Sequence, residues 1–169
     1  MESGSGMKIA NSASSDWMGP IRSLCFVPIL ISTGINMIDK SSLAQDPSTP
    51  TNTLNVLSKD EQWRVRCNVA GNPSTTFETL ASMSKDRDYL VRRKVALNPN
   101  TPPEILTTLI WSEGEYLSVI KCAACNPSTS QDDLRGLRVH SDYEVRWNVA
   151  ANPNAPYGIW IDGLGRLLP

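Results

Sequence analysis

The feature that most constrains this 169-residue chain is an Asx-Pro dipeptide that returns at an almost constant interval. It occurs five times, at spacings of 26, 26, 28 and 26 residues: Asp46-Pro47, Asn72-Pro73, Asn98-Pro99, Asn126-Pro127 and Asn152-Pro153. A fixed period of roughly 20 to 50 residues is typical of repeat architectures. The residue before a proline avoids the helical backbone region, so each dipeptide also marks a place where a helix ends. We therefore expect an array of short units rather than a domain with one central core.

Within each unit the apolar residues keep their places when counted from the Asx. Leu or Met stands at +8 and +11, as in Leu54 and Leu57, and a Val-Ala pair closes most units. An aromatic residue at about +17, Val at +19 and Arg at +20 precede that pair, and the third unit carries a two-residue insertion near Glu113-Gly114. These spacings predict two short helices per unit, each with one apolar stripe. Helices this short are not stable alone, so neighbouring units must stack.

Threonines after the Asx-Pro dipeptide predict where the first helix of a unit begins. Thr101 stands before Pro102, with Glu104 three residues on, and Thr75 with Glu78 repeats the spacing. This arrangement is that of a capping box, in which the threonine is the N-cap.

The unit N-P-x-T-P-x-x-x-L-x-x-L-x-x-D…V-R-x-x-V-A-x-N-P resembles the leucine-rich repeat variant family. The resemblance covers residues 46–156. It implies an all-α fold, a right-handed α-solenoid in which short α- and 3₁₀-helices alternate. The spacing of the dipeptides gives about 26 residues per repeat, slightly longer than the family leads us to expect. It implies no shared catalytic motif.

The predicted organisation has four parts. Residues 1–18 form a frayed N-terminal segment, 19–45 a degenerate capping repeat, 46–151 four helical repeats and 152–169 a C-terminal cap or half repeat. Two other interpretations of the N-terminal part stay open. One is a transmembrane helix, although the uncharged run of this segment is shorter than a membrane span requires and is interrupted by polar residues. Arg22 before the run and Ser42-Leu43-Ala44 after it are also compatible with a secretion signal, although we expect a cytoplasmic protein.

Charge does not favour a polyanionic partner for the chain as a whole, because 16 Lys and Arg stand against 17 Asp and Glu. The repeated Arg and aromatic positions are nevertheless candidate partner-binding residues: Trp63, Arg66, Tyr89, Arg92, Tyr143 and Arg146. Three interpretations compete. The arginines could form ion pairs between units, which we favour, or the set could bind a protein, or it could bind nucleic acid through phosphates and stacked bases.

Catalytic and metal chemistry find little support. The four cysteines are Cys25, Cys67, Cys122 and Cys125, and a lone Cys-x-x-Cys is a weak metal signal because zinc sites need about four ligands. The single histidine, His140, falls in a predicted link between helices. The asparagines before proline are expected to form structural hydrogen bonds.

The sequence therefore predicts a non-enzymatic scaffold that binds a protein or peptide along one face of the solenoid. Nucleic-acid binding through the Arg and aromatic stripe is the alternative. We expect no metal, no cofactor, no small-molecule substrate and no membrane association.

Overall fold

The computed structural model describes residues 39–156, 160–161 and 167–168. This part of the chain contains nine helices and one pair of short strands. The helices are α1 Lys40–Gln45, α2 Thr51–Leu57, α3 Trp63–Gly71, α4 Phe77–Met83, α5 Tyr89–Leu97, α6 Pro103–Trp111, α7 Leu117–Cys125, α8 Gln131–Leu137 and α9 Tyr143–Ala151. The strands are β1 Trp160–Ile161 and β2 Leu167–Leu168, paired antiparallel.

Each predicted unit consists of two of these helices. The first unit (46–71) holds α2 and α3, the second (72–97) α4 and α5, the third (98–125) α6 and α7, and the fourth (126–151) α8 and α9. The second helix of every unit ends at the next asparagine, whose backbone is extended, as at Asn98 with φ −71° and ψ 124°. The proline that follows enforces that conformation, so the period of the dipeptide becomes the period of the fold.

The second helices form one continuous row. Helices α1, α3, α5, α7 and α9 pack in that order, each against the next, whereas α2, α4, α6 and α8 pack mainly on the second helix of their own unit. The core between the two rows is repeated with the units. Its largest fully buried side chains are Leu54, Leu57, Leu80, Leu106, Leu109, Leu134, Leu137, Val65, Val69, Val91, Val95 and Val119. These are the predicted +8, +11, +19 and +23 positions, and the all-α solenoid is confirmed.

Two local predictions need correction. The resemblance implied a 3₁₀-helix in each unit, but the first helices are α-helical, and 3₁₀-type bonds occur at their ends, such as Asp60 N–H to Leu57 C=O. The predicted N-cap threonines do not cap. The cap lies one residue later, where Thr76 accepts from the Thr79 amide and Ser130 from the Asp133 amide. Thr75 and Thr101 instead bond to the preceding helix.

The insertion in the third unit lies between α6 and α7, where Gly114 has φ +74°. A residue with a side chain rarely adopts that conformation, so glycine permits the longer turn. This position agrees with the predicted insertion.

At the N-terminal end, α1 packs on α3 as a second helix would, and Ala44 is fully buried in the predicted Val-Ala position. The remainder of the proposed capping repeat, residues 19–38, and the proposed frayed segment lie outside the described residues. At the other end β1 lies against α9. The assignment of 152–169 to a cap or half repeat stays a prediction. In the part of the chain that the structure describes, no helix has the length and apolarity to cross a membrane.

Candidate functional site

A ladder of buried asparagines joins every unit to the one before it. The side-chain amide of Asn98 donates to the carbonyls of Ala70 and Asn72, 2.8 and 3.1 Å away. Asn72, Asn126 and Asn152 repeat this pair of bonds one unit before or after, and all four asparagines are buried. The Asn98 side-chain oxygen accepts from the Asn100 amide, so the same residue also forms the turn. The structural role expected of these asparagines is thus one of linking units.

Buried threonines complete the same turn. Thr75 and Thr101 each donate to the carbonyl of a valine six residues earlier, Val69 and Val95, over 2.6 Å. Thr49 and Thr129 make the equivalent bond. A second helix therefore ends with its last carbonyls satisfied by side chains of the following turn and the following unit, which is what a buried helix end requires.

Two of the predicted surface arginines lie between units. Arg66 makes a two-pronged ion pair with Asp86 of the next unit, with Nε–Oδ2 and Nη2–Oδ1 distances of 2.7 and 3.0 Å. Its other terminal nitrogen, Nη1, donates to the carbonyls of Asp60 and Glu61, and the residue is only 5% exposed. Arg92 repeats the arrangement with Glu115, at 2.7 and 2.8 Å. Lys40 in α1 contacts Asp60 in the corresponding way.

Electrostatics agree with this geometry. Burial disfavours ionisation of Glu115, but the hydrogen bonds from Arg92 and the Tyr116 amide, with the Arg92 charge, together hold the pKa of the carboxyl below its ordinary value of 4.5. Asp86 has the same balance of burial against Arg66 and the Asp88 amide, and its pKa is also lowered. Arg66 and Arg92 are therefore braces between units, as the favoured interpretation predicted, and not a stripe open to phosphates.

The junction between the third and fourth units is built differently. Ile120 occupies the arginine position, and the acidic position opposite holds His140. His140 Nδ1 accepts from the Asp142 amide. Asp86 forms the same turn two units earlier, where it accepts from the Asp88 amide. Lys121 supplies a more exposed link to Glu144 and Asp142, at 2.6 and 3.4 Å. Arg146 donates to the carbonyls of His140 and Ser141.

A buried carboxylate braces this junction from the other row of helices. Asp133 accepts from the Trp111 indole at 2.7 Å, the Thr107 hydroxyl at 2.6 Å and the Ser130 hydroxyl at 2.7 Å. Burial opposes its ionisation, but the three donors hold its pKa below the ordinary value. The sequence patterns alone did not predict this role for Asp133. The available signal was that Asp133 replaces the uncharged Thr53, Thr79 and Ile105 of the other units.

The aromatic residues of the predicted site remain at the surface. We define the aromatic row as Trp63, Tyr89, Tyr116 and Tyr143, one residue at or just before the start of each second helix. Trp63, Tyr116 and Tyr143 are 40%, 56% and 58% exposed, and Tyr89 is half-buried because its ring stacks on Tyr116, with centroids 4.3 Å apart. Since the second helices form one row, these four rings follow each other along the array.

Two grooves adjoin Trp63. One, of about 580 Å³, lies along the aromatic row and includes Tyr89, Leu90, Tyr116, Glu61, Arg66, Arg87 and Asp88. The other, of about 380 Å³, crosses α1, α3 and α5 and is lined by Ser41, Gln45, Trp63, Arg64, Cys67, Asn68, Leu90, Arg93 and Lys94. The first is lined by charges of both signs, whereas the second is lined by three cations and no carboxylate among these residues.

The described cysteines are free thiols in different environments. Cys67 is buried, which raises the pKa of its thiol to about 11. Burial, and secondarily Cys122, raises the pKa of Cys125. Within residues 39–156 and the two strands, no three His, Cys, Asp or Glu side chains are grouped closely enough to hold a metal ion. Cys25 lies outside the described residues.

Comparison with known proteins was consistent with the repeat. Residues 89–110 match the family model for the leucine rich repeat variant. A solved structure described as a leucine-rich repeat variant with a novel repetitive protein structural motif is 24% identical and has a TM-score of 0.41, covering 75% of this chain. The chain spans 60% of that structure. An engineered protein is 20% identical with a TM-score of 0.43, and 74% of this chain and 75% of that one are covered. Comparison with curated proteins gave no match.

The family match runs from α5 of the second unit through the Asn-Pro turn into α6 of the third. The same succession of helix, buried asparagine, buried threonine and helix occurs at each of the other unit boundaries between residues 46 and 151. The match to one boundary therefore describes the repeated element itself. Residues 46–151 form four helical repeats, and the stretch 89–110 within them is similar to the leucine rich repeat variant family.

Proposed function

We propose that this protein is a non-enzymatic scaffold that binds a peptide segment of a partner protein along the aromatic row. The observation that carries the proposal is the recurrence of one aromatic ring at the same place in each unit, exposed in three units and half-buried at Tyr89. Exposed Trp and Tyr side chains supply large contact area at low cost in conformational entropy, and such residues are enriched among those that dominate binding energy. A row of them gives an extended partner several equivalent points of contact.

The charged residues near the aromatic row also support binding at this surface, because some are paired within the protein and others are available to a ligand. Arg66 and Arg92 are occupied by the next unit, so they do not compete for a ligand. The groove beside the row has Leu90 and three aromatic rings as its apolar part, with Glu61, Arg87 and Asp88 at hand for polar contacts. An apolar patch with a few charged groups around it is typical of protein interfaces, where the centre excludes water and the rim stays polar.

Nucleic acid was the alternative partner, and it depended on arginines facing solvent as a stripe. Arg66 and Arg92 form bidentate ion pairs instead, and Glu61 and Asp88 lie in the groove beside the row. Because carboxylates there repel phosphates, we place a peptide ahead of a nucleic acid on this surface.

The test is selection of peptides from a random displayed library on the full chain, followed by affinity measurement on purified variants. We expect Trp63→Ala and Tyr143→Ala each to weaken a selected peptide about tenfold or more. Phe77→Ala is the matched control, since Phe77 is an aromatic residue 60% exposed on the other row of helices, and it should change affinity less than about twofold. Failure to select any peptide, or equal losses in Phe77→Ala and Trp63→Ala, would overturn the proposal.

A further inference from the structure

We propose that the groove across α1, α3 and α5 binds an acidic peptide segment. We call this groove the basic groove, and it is lined by Ser41, Gln45, Trp63, Arg64, Cys67, Asn68, Leu90, Arg93 and Lys94. The inference rests on the proposed function in that it names the chemistry of the partner, but a different set of side chains carries it.

The cations of the basic groove have no carboxylate partner among the described residues. Arg64, Arg93 and Lys94 are exposed, and within the described residues none of them forms an ion pair. The Arg64 guanidinium lies 5.4 Å from the Trp63 ring centroid, in cation–π contact, which holds the charge beside the groove. The other cationic residues of the second helices differ, because Arg66, Arg92 and Lys121 already contact carboxylates and Arg146 donates to the carbonyls of His140 and Ser141. The basic groove is thus a place where positive charge is left for a ligand.

The floor of the groove is suited to a side chain rather than to a bare ion. Trp63, Leu90 and Cys67 supply apolar surface between the cations. The Asn68 side chain is fixed by donating to the Ser41 hydroxyl at 2.8 Å and to its carbonyl at 3.2 Å, so α1 and α3 form a defined wall. A ligand that fits carries carboxylates for Arg64, Arg93 and Lys94 and an aliphatic or aromatic group for the floor. A peptide with Asp or Glu around an apolar residue has this chemistry.

The extent of the groove also favours a peptide. Packed helices lie about 8 to 10 Å apart, so the step from α1 over α3 to α5 is about 20 Å, the length of about six residues of extended chain. The corresponding positions in the fourth unit hold Glu144 and Trp147, and in the third Lys121 is paired. Positive charge therefore ends after the second unit and does not continue as a track for a polynucleotide. The neighbouring groove with Glu61 and Asp88 bounds it on one side.

The experiment measures binding of the full chain to fluorescein-labelled peptides by anisotropy. The probes are Gly-Asp-Glu-Phe-Asp-Glu-Gly, its neutral analogue Gly-Asn-Gln-Phe-Asn-Gln-Gly, and a short single-stranded oligothymidylate. We expect the acidic peptide to bind at least about tenfold more tightly than the neutral one, with affinity falling as salt rises because the groove charges are screened.

The variants separate the groove from net charge. Arg93→Ala with Lys94→Ala should weaken the acidic peptide about tenfold or more. Lys59→Ala with Lys85→Ala removes the same charge from exposed links between helices and should change affinity less than about twofold. Circular dichroism and urea unfolding confirm that both double variants fold.

Several results would overturn the inference. These are absence of binding of the acidic peptide up to about 1 mM, equal binding of the neutral peptide, or equal losses in the two double variants. Tighter binding of the oligothymidylate, with the same dependence on Arg93 and Lys94, would assign the groove to nucleic acid instead. Selected peptides that need Trp63 and Tyr143 but have no acidic bias would refute this inference and leave the proposed function intact. Binding of the acidic peptide that depends on Arg93 and Lys94 but is unchanged by Tyr143→Ala would support this inference and refute the proposed function.

Discussion

The junction between the second and third units and the junction between the third and fourth units have the same frame and different braces. In both, the buried asparagine that ends the later second helix donates to two carbonyls at the end of the earlier second helix. The earlier junction adds the Arg92–Glu115 pair between second helices. The later one has Ile120 in the arginine position and adds the bonds from Trp111 and Thr107 to Asp133 between first helices. A repeat protein can therefore place its buried polar brace in either row of helices as long as the asparagine stays, and the later junction keeps only the more exposed Lys121 link between second helices.

That difference has a consequence for the surface. Where Arg66 and Arg92 act as braces, their neighbours Arg64 and Arg93 are left exposed on the same helices. Beyond the third unit the exposed cations of the second helices give way to Glu144 and Trp147. Each half of the array thus offers a different face, basic in the first two units and acidic and aromatic toward the end.

The largest expected effect comes from the element that both junctions share. Asn126→Ala and Asn152→Ala should each lower the free energy of unfolding by about 3 kcal/mol, because buried carbonyls at the end of the preceding second helix lose their donor. Urea unfolding followed by circular dichroism measures the change. Asn52→Ala is the control, since Asn52 is exposed on the first turn of α2, and it should change the free energy of unfolding by less than about 0.5 kcal/mol. A loss at one junction that exceeds the other by more than about 1 kcal/mol would break the claim of a common frame.

The brace of the earlier junction should be sensitive to acid. Since the Glu115 pKa is lowered in the folded protein, folded chains bind fewer protons there than unfolded ones. The stabilisation is complete above pH 4.5 and is lost as pH falls through the folded pKa. Glu115→Gln should cost about 2 kcal/mol at neutral pH and flatten this acid dependence.

Urea unfolding across a pH series tests this, with Glu113→Gln as the exposed control, expected to cost less than about 0.5 kcal/mol at neutral pH. An unchanged acid slope in Glu115→Gln would mean that the ion pair does not stabilise the junction.

A smaller effect is expected from the brace of the later junction. Trp111→Phe keeps most of the ring and removes the N–H donor to Asp133, so it should cost about 1 kcal/mol. Urea unfolding gives the value, and Trp147→Phe, which changes an exposed indole on α9, is the control. Equal losses of unfolding free energy in the two variants would mean that the hydrogen bond from Trp111 to Asp133 does not stabilise the junction.

The smallest expected effect is that of Gly136→Ala in α8, whose change in the free energy of unfolding should have opposite signs with and without Trp111. A Cβ there would lie 2.8 and 2.9 Å from Trp111 Cζ2 and Cη2, closer than carbon atoms approach. Gly136→Ala should therefore destabilise the protein by about 0.5 kcal/mol, although alanine is the better helix former by about 1 kcal/mol. In a Trp111→Ala background the same change should stabilise. A double-mutant cycle measures this coupling, and additive effects would contradict the contact.

The sequence was sufficient for the repeat because one residue type, asparagine before proline, sets both the end of a helix and the link to the previous unit. The arginine braces were also predictable, since Arg66 and Asp86 return at fixed places. The caps were misplaced at Thr75 and Thr101 because a threonine can satisfy either the next amides or the previous carbonyl, and the spacing is the same for both. Asp133 was missed because neither it nor its partner Trp111 recurs at the same position in the other units.

The most direct test of this division between braces and surface compares two adjacent arginines. Arg92 is committed to Glu115, whereas Arg93 faces the basic groove. Arg92→Met should lower the free energy of unfolding by about 3 kcal/mol because it leaves a buried carboxylate without its partner. Arg93→Met should change it by less than about 0.5 kcal/mol. Urea unfolding of the two variants under identical conditions decides the matter. Equal losses, or a larger loss in Arg93→Met, would contradict the assignment of one arginine to the junction and its neighbour to the ligand.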